Sequence, residues 1–151
     1  MNLILSTKAS KKLRREGHSI EDFSPDLNTW RIDCATLVQR SIFIVTNEQT
    51  LYTCISSYKD GFKGIIQKIS ATIKCEIDVN EINYVKFQNR SVVGSMSNMK
   101  KLIQNVDAYY PSDNESYEQL VNRTPFQYLS QRSPAEVHSL ITDNYISLIN
   151  G

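Results

Sequence analysis

The stretch Trp30-Arg31-Ile32-Asp33-Cys34-Ala35-Thr36-Leu37-Val38, then Arg40 through Asn47, then Thr50-Leu51-Tyr52-Thr53-Cys54-Ile55, decides the fold class. Trp30, Ile32, Cys34, Thr36 and Val38 alternate onto one face of a strand, with Ala35 and Leu37 giving partial cover to the other. Ile42-Phe43-Ile44-Val45 is an unbroken apolar run, as in a central strand buried on both faces. Asn47-Glu48-Gln49-Thr50 is a polar connector of hairpin length, and Leu51 to Ile55 reads as the next strand. Connectors this short join antiparallel neighbours, because a parallel crossover needs about a dozen residues or more.

Outward from this core, Asn2 to Leu5 reads as a short strand. Ser6 or Thr7 caps a helix running to Arg15, with Gly17 as its stop and residues 18–28 as a loop. Phe62, Ile65, Ile66, Ile69 and Ile73 lie at helical spacing and predict a core-facing helix over 60–74. Ile82 to Phe87 alternates as a strand, and the chain turns at Asn89-Arg90-Ser91. A helix follows from Ser95 to Val106, with Met96, Met99, Ile103 and Val106 on its inner stripe. In the last third, Tyr117, Leu120 and Val121 mark a short helix, and Thr124-Pro125 and Ser133-Pro134 each read as a helix start. Ser133-Pro134-Ala135-Glu136 fits a capping box, before a stripe of Val137, Leu140, Ile141, Tyr145 and Leu148. The expectation is one α+β domain over residues 1–151. It has a mostly antiparallel sheet of four to five strands, helices on one face and a helical C-terminal third.

Composition narrows function by exclusion. The formal charge of +1 predicts no global field toward nucleic acid or an anionic membrane. No apolar run approaches the ~18 residues of a membrane span. The opening Met1-Asn2-Leu3-Ile4-Leu5 lacks the basic flank of a signal peptide, so the chain reads as cytoplasmic. Cys34, Cys54 and Cys75 form no CxxC pair. With only His18 and His138 as imidazoles, neither a metal site nor a cofactor is expected. Both histidines read as surface residues, since no motif ties either to a nucleophile.

Two constellations carry the functional reading. In Asn89-Arg90-Ser91-Val92-Val93-Gly94-Ser95 a strand enters and a helix leaves. Gly94 there allows close approach or positive φ, helix N–H groups attract anions, and Arg90 can clamp a phosphate or carboxylate. The same residues also make a structural corner, with Asn89 in the turn and Ser95 capping the helix. The second is the basic run Lys8, Lys11, Lys12, Arg14 and Arg15, which suits either a phosphate backbone or a solvated helix face.

Three stretches resemble a family of small bacterial proteins that share a domain of unknown function. They are Thr7-Lys8 with Lys11-Lys12-Leu13; Trp30, Arg40 to Asn47 and Thr50-Leu51-Tyr52; and Asn89-Arg90-Ser91-Val92-Val93-Gly94-Ser95-Met96 with Asn98 nearby. The tail from Val121 to Glu136 is similar as well. Members often follow the tryptophan with His-Ala-Asn, where this chain has Arg31-Ile32-Asp33. The resemblance implies a bacterial origin, often in a mobile or accessory gene neighbourhood, and no reaction.

The functional expectation is a non-enzymatic binding or adaptor module. It would recognise a protein or a small anionic ligand through Asn89, Arg90, Ser91, Gly94, Ser95 and Asn98, with Arg40 and Trp30 as further candidates. The alternative is a nucleic-acid-acting toxin or anti-defence protein using the basic first helix. An enzyme built on Arg40, Arg90 and Ser91 is the third reading. Strand edges in so small a sheet suggest a homodimer.

Overall fold

The computed structural model describes residues 1–150, with side chains through Asp143. Its strands are β1 (Asn2–Leu5), β2 (His18–Ser19), β3 (Thr29–Thr36), β4 (Ser41–Asn47), β5 (Thr53–Ser57) and β6 (Asn83–Lys86). Its helices are α1 (Thr7–Leu13), α2 (Gly61–Ile73), α3 (Arg90–Tyr109), α4 (Asn114–Asn122) and α5 (Pro134–Asn150), with a 3-10 turn at Tyr58–Asp60 leading into α2.

The fold is α+β, but its sheet is mixed. The six strands run β2-β6-β1-β3-β4-β5. The β3–β4–β5 meander is antiparallel, as its short connectors demand. β1 lies parallel to both β3 and β6, and β2 parallel to β6. These pairings have connections long enough to carry helices, so hairpin logic does not reach them.

Helices cover both faces, where one was expected. The alternation on β3 and β4 divides the core. Trp30, Ile32, Cys34, Phe43 and Val45 join Leu3, Ala9, Leu13, Ile65 and Ile69 beneath α1 and α2. Ala35, Ile42, Ile44 and Ile55 join Met96, Met99, Ile103, Tyr117 and Val121 beneath α3 and α4. The apolar run of β4 is buried on both sides for this reason.

Several boundaries move. α1 ends at Arg14, whose φ of 55° makes the left-handed cap. Gly17 serves a different purpose: an added Cβ would stand 2.9 Å from the Val85 carbonyl carbon, so glycine lets the chain approach β6. The expected loop 18–28 opens with β2. β5 begins at Thr53, because Leu51 sits at φ 61° in the turn. Pro125 starts no α-helix; Phe126 bridges Arg132 around a 3-10 turn at Gln127–Leu129. Ser133 and Glu136 do form the capping box. On α5, Val137 is buried but Leu140 is exposed, and Tyr145 and Leu148 lie outside the described side chains.

α4 closes the β5 edge. Asn122 accepts from Thr53 N and donates to Thr53 O, each at 2.8 Å, and Glu118 accepts from Ile55 N at 2.7 Å. The opposite edge is the two-residue β2. A homodimer built by pairing at β5 therefore finds its outward backbone groups at Thr53 and Ile55 already engaged.

Candidate functional site

α3 starts at Arg90, a full turn earlier than the apolar stripe suggests. Asn89 is its cap, accepting from Val92 N at 3.3 Å. Ser95 is consequently mid-helix and buried, its hydroxyl donating to Ser91 O at 2.9 Å. Gly94 is plain helix: a Cβ there would meet nothing within 4 Å, so neither close approach nor positive φ explains it. Arg90, Ser91 and Asn98 are exposed. Arg90 has no side-chain partner among the described residues. It stands exposed at the first position of α3.

Trp30 is fully buried, so it cannot touch a ligand from its place in the core. Its indole N–H has no hydrogen-bond partner among the described residues. Arg40 is a tie between elements. Its Nη2 donates to Ser112 O at 2.9 Å and Asn114 Oδ1 at 3.0 Å, and its guanidinium lies 5.7 Å from the Tyr117 ring centre. Beside it is an open depression of about 560 Å³, lined by Arg40, Ser57, Lys59, Ser112, Asp113 and Glu115. Arg40 and Arg90 sit at opposite ends of α3. Asp107 accepts from Val38 N at 2.7 Å near the Arg40 hairpin, and seventeen residues of helix separate it from Arg90. That is about 25 Å at the α-helical rise. An enzyme site drawing on both is not assembled.

The basic run behaves differently. Arg15 is engaged: its Nε donates to the Tyr84 hydroxyl at 3.0 Å, Nη1 donates to Leu13 O at 2.9 Å, and the guanidinium lies 3.9 Å from the Phe62 ring centre. Lys12 Nζ stands 5.0 Å from the Tyr58 ring centre. These contacts seat α1 against the 3-10 turn and the first turn of α2. Lys59 and Lys63 adjoin Tyr58 and Phe62 in sequence, on the segment that Lys12 and Arg15 pack against, with Lys59 also lining the Arg40 depression beside Asp113 and Glu115. Lys8, Lys11, Lys12 and Arg14 complete a set of six. All six are exposed. The ion pairs among the described residues are Arg31–Glu48, Lys68–Glu118 and Lys100–Asp33, and none uses these six cations.

The near-zero net charge conceals this segregation. Residues 1–19 and 58–74 hold nine of the seventeen cations and two of the sixteen carboxylates, Glu16 and Asp60, a formal +7 against −6 for the rest. The acidic residues Glu76, Asp78 and Glu81 follow the far end of α2, roughly 20 Å from its first turn. Sequence reading singled out the α1 cations but missed Lys59 and Lys63. A local count would have found them, because residues 58–74 carry four lysines and one aspartate.

His138 is half-buried, not a surface residue. Its ring stacks on Tyr52 with centroids 4.5 Å apart, and Nδ1 lies 3.4 Å from Thr50 Oγ1. Burial holds the imidazole below its ordinary pKa. Thr50 is fully buried and the imidazole is partly exposed. Cys34 and Cys54 are buried thiols, and burial pushes Cys54 up to about 11, away from reactivity. No group of three or more His, Cys, Asp or Glu side chains is placed to hold a metal ion among the described residues. No helix described is long and apolar enough to cross a membrane. No family model matches the chain, and neither does any curated protein or solved structure.

Proposed function

We propose that this protein is a non-enzymatic binding module that holds an anionic ligand on the surface shared by α1 and the first turn of α2. The observation that carries the reading is six exposed cations, free of ion pairs among the described residues, on α1 and on the segment its Lys12 and Arg15 pack against, in a chain with net charge +1. Such a field raises the local concentration of an anion and speeds its capture. Two hydroxyl or thiol pairs lie inside the fold: Thr50 is buried beside His138, and Cys54 lies 3.0 Å from Thr72. The Arg90 corner offers one guanidinium without a side-chain partner among the described residues and ranks second as a contact point.

A kinship with small bacterial proteins often found in mobile or accessory gene neighbourhoods, expected from the motifs at Trp30 and Asn89–Met96, would fit an accessory role. The same basic face favours a second reading, a toxin or anti-defence factor that acts on nucleic acid.

Heparin affinity chromatography of the full chain near neutral pH tests the proposal. A protein of evenly spread +1 charge passes through, whereas the segregated face gives retention at physiological salt. Substituting Lys8, Lys11 and Lys12 by Gln should release it earlier, and Arg90→Ala should leave elution unchanged. Elution of the unaltered chain in the flow-through would refute the proposal.

A further inference from the structure

We infer that the α1–α2 face takes the phosphate backbone of duplex nucleic acid, independent of base sequence. The inference rests on the anion-binding reading of this face and names the class of ligand.

Three observations select that ligand. First, the cations come from two separate elements, with Lys8, Lys11, Lys12 and Arg14 on or at the end of α1 and Lys59 and Lys63 at the start of α2. A spread surface of point charges matches a duplex, which presents one phosphate charge per ≈1.7 Å of axis, better than a single compact anion. Second, the face has nothing to insert into lipid. The apolar residues Ala9, Leu13, Ile65 and Ile69 are all buried in the core, and none of the exposed large hydrophobic side chains lies on α1, the 3-10 turn or α2. A helix lying in a membrane interface needs an apolar side facing outward. Third, the aromatic rings nearby are not free platforms. Tyr58 and Phe62 are half-buried, with Lys12 and Arg15 over them, and Tyr58 is stacked on Phe43 at 4.5 Å. Single-strand binders rely on such rings to stack bases.

Lysine ammonium groups act as point charges, not forks that read base edges. Contacts of this kind fix no sequence. They release counterions, so affinity falls steeply as salt rises.

The test is fluorescence anisotropy of the full chain with labelled duplexes of about 20 base pairs in two unrelated sequences. Parallel arms use an RNA duplex, a single strand of equal length, and vesicles containing phosphatidylserine. Six phosphate contacts predict a log–log salt slope of about −5, which is about a thousandfold loss of affinity between 50 and 200 mM salt. The two sequences should bind alike and the single strand more weakly. The RNA arm separates DNA from RNA duplex as the source of the same phosphate chemistry. The pair K8Q/K11Q and the pair K59Q/K63Q should each flatten the slope by about 2. All four side chains are exposed, so circular dichroism should be unchanged. Tighter binding to vesicles or to single strands would overturn the inference, as would a response to the α1 pair alone. Heparin retention without duplex binding would defeat this inference and leave the anion-binding reading intact; loss of both would defeat both.

Discussion

Asn122 forms with Thr53 the two hydrogen bonds that a seventh strand would make. The side-chain amide accepts from Thr53 N and donates to Thr53 O, each at 2.8 Å, and both residues are buried. Asn122→Leu leaves a buried donor and a buried acceptor without partners, which costs roughly 2–4 kcal/mol. It also uncovers part of an edge strand. Urea unfolding should show the loss, and size-exclusion chromatography should show self-association absent from the parent.

Arg31 and Glu48 form a bidentate pair inside the protein, with Nε to Oε2 at 2.9 Å and Nη2 to Oε1 at 2.8 Å. Nη2 also donates to Phe87 O at 3.1 Å. This ties β3 to the turn after β4 and to the chain leaving β6. Glu48→Ala leaves a buried guanidinium unpaired and should cost about 3–5 kcal/mol. Replacing both, Arg31→Met with Glu48→Leu, should cost less than the two single losses together. A double-mutant cycle in denaturant measures the difference.

Acid should weaken the protein in two steps. Burial lowers the His138 pKa below its ordinary 6.5, so the unfolded chain binds more protons once pH falls through 6.5. The stability that neutral His138 provides is complete above that pH and is lost below it. For Asp107, burial raises the pKa, but donation from the Tyr117 hydroxyl at 2.6 Å and from Val38 N outweighs it, leaving the carboxyl below 3.8. Its contribution is present above 3.8 and lost as pH falls through the folded value. Unfolding midpoints measured across pH should decline first below 6.5 in the parent and not in His138→Gln. Tyr117→Phe should move the lower step to higher pH.

Gly17 lets β2 reach β6. A Cβ at this position would lie 3.0 Å from Val85 O and 3.2 Å from Lys86 N, and backbone cannot yield as a flexible side chain does. Gly17→Ala should cost roughly 1–3 kcal/mol. Hydrogen exchange at His18 and Ser19 should accelerate while β3 and β4 stay protected.

The meander was legible because alternation over Thr29–Thr36 and the apolar run Ile42–Val45 fix both its strands and its neighbours. The parallel pairings were not legible. Four residues at Asn2–Leu5 carry no signal of direction, and their partners are distant in sequence. The second covered face was hidden for a related reason: alternation says that Ile32 and Ala35 point to opposite sides, but not that helices wait on both. At the Arg90 corner, Asn89 and Ser95 are both good caps, and the apolar stripe beginning at Met96 favoured the wrong one. The α1 cations stood out as a run. Lys59 and Lys63 did not, because only the packing of Lys12 and Arg15 on Tyr58 and Phe62 ties their segment to α1.

The most direct test of the account is a ¹⁵N–¹H NMR titration of the full chain with a short inorganic polyphosphate. Shift changes confined to Lys8–Arg14 and Tyr58–Lys63, and diminishing as salt is raised, are the predicted result. Changes centred on Arg90 and the first turn of α3, or on no surface at all, would contradict it.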